Sequence, residues 1–157
     1  MERTLLIIKP DGVQRGLIGE VIKRIEKKAF KIVALKMLKL TPEQASALYL
    51  PHKGKSFYEP TVKFMSSSPI VAVVLEGRNC INLIRKLIGG TRPEDAKPGS
   101  IRGDFATSVQ LNIVHASDTE ENARREIEII FSPEDLCDYS LISEQWTGIK
   151  WEAGMVT

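Results

Sequence analysis

Apolar and polar positions change period several times along the chain, and each change marks an element. Thr4 to Ile8 is a short apolar run closed by the turn residues Lys9-Pro10-Asp11-Gly12, the pattern of a buried strand. Ile18, Val21, Ile22, Ile25 and Ala29 then recur at helical spacing, with Glu20, Lys23, Arg24, Lys27 and Lys28 opposite, which predicts an amphipathic helix. Lys31 to Leu40 alternates as a half-buried strand does. Thr41-Pro42-Glu43-Gln44 predicts a helix start: Thr41 caps, Pro42 suits the first turn, and Gln44 completes a capping box. That helix runs to about Tyr49 and stops near Leu50, because Pro51 disfavours helical geometry in the residue before it. Ser56 to Ser67 reads as a further short helix with Pro60 in or near its first turn.

Pro69 to Leu75 is continuously apolar and rich in valine, which predicts a central strand covered on both faces. Asn79 is placed to cap a helix carrying Ile81, Ile84, Leu87 and Ile88, closed by Gly89-Gly90. Residues 89–104 hold four glycines and two prolines with little periodicity, and an irregular stretch of that length inside a compact domain is usually functional. Leu111 to His115 predicts a last short strand. Ser117-Asp118-Thr119-Glu120 predicts a capping box, followed by a helix that buries Ala123, Ile127, Ile130 and Phe131. Pro133 to Tyr139 is expected to hold a helical piece, with a less regular end beyond it. Strands separated by helices imply an α/β (α+β) arrangement, one sheet with helices packed on it, and four strands with crossing helices fit the split βαβ or ferredoxin-like plan.

Composition narrows the class without naming a function. With 157 residues the chain suits one domain, residues 1–157, and 43% hydrophobic with 27% charged residues is the balance of a folded globular protein. Cys80 and Cys137 show no CxxC or Cys/His spacing, and the N-terminus has no run long enough for a signal or membrane span, so a cytoplasmic location is expected. The net charge of +2 is too small to imply a polyanion-binding surface by itself. Its distribution says more: cations cluster near glycines from Lys9 to Arg24 and from Arg78 to Arg102, as in loops that hold phosphate.

Two groups of residues carry candidate chemistry. His115, one of two histidines, lies at a strand-to-helix junction with Glu126 about two turns along the inward side of the helix. A carboxylate on one ring nitrogen, directly or through Ser117, fixes the tautomer and frees the other nitrogen's lone pair as a nucleophile. His52, between Pro51 and Lys53, reads as a solvated loop residue. Lys9 at a strand end, Arg85 on a helix, and Thr91 and Arg102 in the glycine loop form the second group. All four can donate to phosphate oxygens, and phosphoryl transfer depends on such donors for positioning and charge stabilisation. GxxxxGK[ST] and GxGxxG are both absent, so P-loop and dinucleotide readings fail.

Along nearly its whole length the sequence resembles the nucleoside diphosphate kinases. The resemblance rests on Asn112-Ile-Val-His-Ala-Ser-Asp118, Thr4-Leu-Leu-Ile-Ile-Lys-Pro-Asp-Gly12, Ser68-Pro-Ile-Val-Ala-Val-Val-Leu-Glu-Gly77, Gly90-Thr-Arg-Pro, Lys97-Pro-Gly-Ser-Ile-Arg-Gly-Asp-Phe105, and Trp151 near a short C-terminal extension from about residue 140. It implies a ferredoxin-like sandwich whose four-stranded, mainly antiparallel sheet is covered by helices, with the long glycine-rich loop before the last strand. It also implies ping-pong transfer of a γ-phosphate between nucleotides, with broad base and sugar specificity. His115 would be the phosphorylated nucleophile, oriented by Glu126 and Ser117, with Tyr49 bonded to Glu126 or to the transferring phosphate. Arg85, Thr91 and Arg102 would hold the β and γ phosphates. Lys9 and Asn112 would bond to the sugar hydroxyls, with Lys9 also neutralising the transferred group. The base would lie between Phe57 and Val109. Mg2+ would ride on the phosphates and water near Asp118, without a direct protein cage. The resemblance further implies a homohexamer, with a tetramer second.

Some positions depart from the family pattern. Ala116 stands where glycine is usual, Pro60-Thr61 replaces a Gly-Leu type pair, Pro51-His52 interrupts the lid segment, and Gln110-Leu111 stands where Gly-Arg is common. Two other readings are a non-catalytic ferredoxin-like nucleotide- or nucleic-acid-binding module and a structural member of the same family. The first requires aromatics exposed on strands, and the predicted strands are aliphatic.

Overall fold

The computed structural model describes residues 1–147. Four strands, β1 (Glu2–Ile8), β2 (Lys31–Leu38), β3 (Ile70–Gly77) and β4 (Val114–Ala116), form one sheet in the order β2-β3-β1-β4, with every neighbouring pair antiparallel. The helices are α1 (Pro10–Gln14), α2 (Ile18–Lys27), α3 (Pro42–Leu48), α4 (Tyr58–Met65), α5 (Cys80–Ile88), α6 (Ile101–Phe105), α7 (Glu120–Ile130) and α8 (Glu144–Thr147). Among the described residues no helix is long and apolar enough to cross a membrane. Trp151 and the end of the expected C-terminal extension lie outside the described residues.

The inner strands β1 and β3 are buried on both faces, which explains why they read as unbroken apolar runs. Leu6, Ile8, Val73 and Leu75 pack on Val21 and Ile25 of α2 and on Ile84 and Ile88 of α5. Leu5, Ile7, Ala72 and Val74, one step out of phase, pack on Leu48 of α3, Met65 of α4 and Ile130 of α7. In register His115 faces Ile7 across the β1–β4 pair, and residues directly opposite in a ladder point to the same face. The imidazole is therefore delivered to the α3–α7 side of the sheet.

Several local expectations hold in detail. Thr41 and Gln44 form the reciprocal capping box of α3, Pro60 occupies the first turn of α4, and β3 is a central strand. Gly89 closes α5 at φ +89°, and a Cβ there would lie 2.4 Å from Ser100 Oγ, so the glycine is required twice over.

Other expectations are corrected, some by local caps and turns and some by contacts with distant parts of the chain. The segment after β1 is the short helix α1 rather than a turn, with Pro10 in its first turn. Asn79 precedes α5, but it sits at φ +53° and its side chain makes no cap bond; Glu2 Oε2 of β1 accepts the Ile81 N–H at 3.2 Å instead. The glycine loop ends in α6, whose N-cap Ser100 accepts from Gly103 N at 3.0 Å. The last strand is only Val114–Ala116, because Ile113 adopts φ +76° and breaks the ladder before it. The cap of α7 is Thr119, accepting from Asn122 N, rather than Ser117. Ser117 is still tied to the sheet through its N–H to Leu5 O, so the helix starts two residues later. After a single 3-10 turn at Pro133–Asp135 the chain runs against β2, Cys137 N–H bonding Val33 O at 2.7 Å, which excludes the expected helix to Tyr139.

Candidate active site

His115 on β4 and Glu126 on α7 are in direct contact, Nε2 to Oε1 at 2.5 Å. Glu126 lies on the buried stripe of α7 with Ala123 and Ile130, and its side chain is only 4% exposed against 20% for His115. A carboxylate oxygen accepts, so Nε2 carries the hydrogen and Nδ1 keeps its lone pair. The orientation is direct and does not run through Ser117, whose buried hydroxyl has no hydrogen-bond partner. Tyr49, the residue that ends α3, meets the imidazole by its ring edge with centroids 5.5 Å apart. Burial first, and then the Glu126 charge, push its phenol far above the usual tyrosine value, so it remains an O–H donor. Arg125 holds this end of α3 to α7, donating to Ala47 O at 2.7 Å and Leu48 O at 3.4 Å, a cation at a helix C-terminus that the sequence reading passed over.

The expected phosphate and sugar residues separate into two kinds. Lys9 Nζ is buried, donating to Asn112 Oδ1 at 2.7 Å and to Gln110 O at 3.3 Å. Burial lowers its pKa from 10.5 to about 8, Asp11 working against that shift and Arg102 with it. Asn112 Nδ2 donates to Thr91 O at 3.1 Å, so Lys9, Asn112 and Thr91 are joined in one chain of contacts. Arg102 is buried and spends its guanidinium on Asn112 O (3.3 Å), Gly89 O (3.0 Å) and Val114 O (2.7 Å), stitching the glycine loop to β4. Burial, with Arg85 beside it, lowers its pKa to about 10. Arg85 and Thr91 are exposed, and Arg85 makes one bond, to Ala116 O at 3.2 Å.

The lid is the other open part. Phe57 is 44% and Val109 47% exposed, and the Phe57 ring also meets His52 and the Lys55 ammonium, 5.6 Å from its centroid. His52 is not the freely solvated residue expected. Its ring is half-buried against Phe57 with centroids 5.2 Å apart, and its Nδ1 lies 3.0 Å from Lys55 Nζ. Burial, then Lys55, lower its pKa, and the charges of Asp118, His115 and Glu126 also reach it. The five-residue step from His52 to Phe57 was the available signal. Ala116 is accommodated without strain: it is a buried β4 residue opposite Leu6 and is not among the residues with positive φ.

The family described as "Nucleoside diphosphate kinase" matches residues 2–136. The nucleoside diphosphate kinase of Fervidobacterium nodosum is 54% identical over 141 residues, covering 90% of this chain and 96% of that protein. That of Kosmotoga olearia is 52% identical over 145 residues, covering 92% and 99%. The chain belongs to the nucleoside diphosphate kinase family. Among solved structures, the family protein from Babesia bovis superposes with a TM-score of 0.91 at 41% identity, covering 94% of this chain and 99% of that one. The halophilic nucleoside diphosphate kinase from Halobacterium salinarum, solved in complex with CDP, gives 0.90 at 39% identity, covering 93% and 97%.

Kinases of nucleotides generally work with a divalent metal, and the donor set here fits an ion carried by the substrate. Among the described residues no cluster of three or more His, Cys, Asp or Glu side chains could hold a metal. Asp118 is a single exposed carboxylate, kept ionised by the Asn122 amide at 2.7 Å and within electrostatic reach of Arg85 and His115. One carboxylate beside a phosphate site suits Mg2+, which keeps most of its water.

Proposed function

We propose that the chain transfers the γ-phosphoryl group of a nucleoside triphosphate to a nucleoside diphosphate in two half-reactions, with a phosphohistidine at His115 between them. The observation that carries this reading is the 2.5 Å contact of His115 Nε2 with the buried Glu126, which leaves Nδ1 as the nucleophile. Nδ1 attacks the γ-phosphorus, the bond to the β,γ-bridging oxygen breaks, and the nucleoside diphosphate leaves with that oxygen. The Glu126 carboxylate offsets the positive charge the ring acquires. In the second half-reaction a terminal oxygen of the acceptor diphosphate takes the phosphoryl group and Nδ1 regains its lone pair.

Arg85, Thr91 and Arg102 hold the β and γ phosphates, Arg102 with the guanidinium hydrogens that its carbonyl partners leave over. Lys9 and Asn112 bond to the sugar hydroxyls, and below pH about 8 Lys9 brings a positive charge to the transferred group. Tyr49 supplies its phenol hydrogen to Glu126 or to the transferring phosphate, and the buried Ser117 hydroxyl has no hydrogen-bond partner. Bound Mg2+, near Asp118, would neutralise phosphate charge. Phe57 and Val109 sandwich the base, and stacking reads little of its edge, so all four bases are accepted. A non-catalytic nucleic-acid module finds no support, since none of the four strands carries Phe, Tyr or Trp and the one ring on them, His115, is turned to Glu126.

We also propose a homohexamer, ahead of a tetramer; Leu35 and Met37, 51% and 57% exposed on the edge strand β2, support self-association. Light scattering on the purified protein distinguishes the two. The mechanism is tested by initial rates with donor and acceptor varied together. Parallel double-reciprocal lines are expected, and lines that intersect would mean direct transfer in a ternary complex.

A further inference from the structure

Ile113 is buried, β-branched and at φ +76°, a conformation that costs such a residue about 1 to 3 kcal/mol and persists only where its surroundings impose it. A local bond closes the turn across it, Val114 N–H to Asn112 O at 2.8 Å, and the direct contacts from outside the turn come from one short segment, Lys9–Gly12. Asp11 Oδ2 accepts the Ile113 N–H at 3.0 Å. The Lys9 backbone N–H donates to Ile113 O at 2.8 Å. Gly12 allows the approach, since a Cβ there would lie 3.0 Å from Ile113 O and 3.1 Å from Ile113 Cγ2.

The residues on either side of Ile113 build the site. Asn112 holds Lys9 Nζ, and its carbonyl accepts from Arg102 Nε. Val114 accepts from Arg102 Nη2 and starts β4, whose next residue is His115. Were Ile113 to relax to negative φ, the Lys9–Asn112 pair would turn away from the strand that carries the imidazole. We propose that Asp11 is a positioning residue of the phosphotransfer site, its carboxylate pinning the left-handed Ile113 peptide so that Asn112 and Lys9 stay in register with His115. The inference rests on the reading of His115 given above.

Asp11 has a second role through its charge. Its other oxygen, Oδ1, is buried and has no hydrogen-bond partner, so the carboxylate acts on its neighbours by its field. Lys9 is faced by Asp11 from α1, Arg102 from α6, the Asn112 amide and Gln110 carbonyl before β4, and the Phe64 ring of α4 at 5.8 Å. Of the charged groups among these, only Asp11 favours the protonated amine; Arg102 opposes it.

Asp11→Asn and Asp11→Ala in the full-length chain separate the two roles, since asparagine retains an acceptor for the Ile113 N–H while losing the charge and putting an amide NH2 where the buried Oδ1 lies. The readouts are the Lys9 ammonium titration by NMR on 15N-lysine protein, assigned with Lys9→Arg, and kcat and KM across pH. Asp11→Asn is expected to lower the Lys9 titration by about one unit and to move the alkaline limb of kcat with it, with kcat at the acid end well above that of Asp11→Ala. Asp11→Ala is expected to lose about tenfold in kcat at the acid end as well, with a smaller change in KM. An unmoved Lys9 titration in Asp11→Asn overturns the proposal, as does an Asp11→Ala protein that matches Asp11→Asn in kcat at every pH. Asp11→Asn is near-isosteric and keeps the proposal decidable if Asp11→Ala does not fold. Absence of phosphoryl label on His115 in wild type would sink the reading of the site while leaving the Lys9 titration to decide on Asp11, so the two failures are distinguishable.

Discussion

His115 Nε2 lies 2.5 Å from Glu126 Oε1, and the two residues reach one another from opposite sides of a packing layer, one on the edge strand β4 and one on the buried stripe of α7. A glutamate on an apolar stripe is costly to bury without a partner. The histidine satisfies it, and in return one nitrogen of the ring is fixed as a donor and the other keeps its lone pair.

Glu126→Gln should therefore keep the fold and the ring contact while removing the charge that stabilises the phosphorylated imidazolium. The rate of His115 phosphorylation should fall by about ten- to a hundredfold, with nucleotide affinity little changed. Rapid-quench measurement of the first half-reaction gives the rate, and a variant as fast as wild type would show that the carboxylate is not used.

The two arginines expected to act alike on phosphate should differ in stability. Arg102 holds three backbone carbonyls from a buried position, so Arg102→Ala should destabilise the protein by about 3 kcal/mol. Arg85 is exposed with one carbonyl contact, and Arg85→Ala should stay within about 1 kcal/mol of wild type while still raising KM for nucleotide. Urea titration checks both values.

Lys9 binds its proton less tightly in the folded protein, at about 8 against 10.5 in the unfolded chain. Between those values the unfolded chain holds more protons, so the Lys9 contribution to stability rises with pH across this window. Wild type should gain on the order of 2 to 3 kcal/mol relative to Lys9→Met from pH 8 to 10.5. Denaturation of both proteins along that range tests the sign, and a wild type that loses stability relative to Lys9→Met as pH rises would contradict it. Over the same range the activity of wild type should decline as the amine loses its charge.

Much of this could be read from the sequence, and what could not shares one physical origin. The α2 stripe, the Thr41–Gln44 box and the central strand β3 are local patterns, and each appears in the fold as the pattern implies. His115 and Glu126 are close in sequence on adjoining elements, so their meeting was within reach of spacing arguments. Glu2 capping α5, Arg102 stitching the glycine loop to β4 and Asp11 holding Ile113 each join residues whose meeting depends on how distant elements pack. Periodicity does not report such contacts. His52 is held by nearer residues, the Phe57 ring and the Lys55 ammonium, but side by side only because the segment between them folds back.

Phe57 is 44% exposed where a base would stack and otherwise meets only the lid residues His52 and Lys55 among ring and cation contacts, so its loss weighs more on binding than on folding. Phe57→Ala should change stability by no more than about 0.5 kcal/mol and raise KM by about tenfold for every nucleotide tried. A change confined to one base would mean that the lid reads base edges.

The central claim is that Nδ1 of His115 carries the phosphoryl group between nucleotides. Wild type is incubated with γ-labelled ATP and magnesium without acceptor, then denatured, and the phosphoamino acid is identified beside His115→Ala. The account predicts acid-labile, alkali-stable label on Nδ1 of His115, absent from the variant and discharged by GDP. A folded, nucleotide-binding protein that takes no label, or label on Nε2, would contradict it.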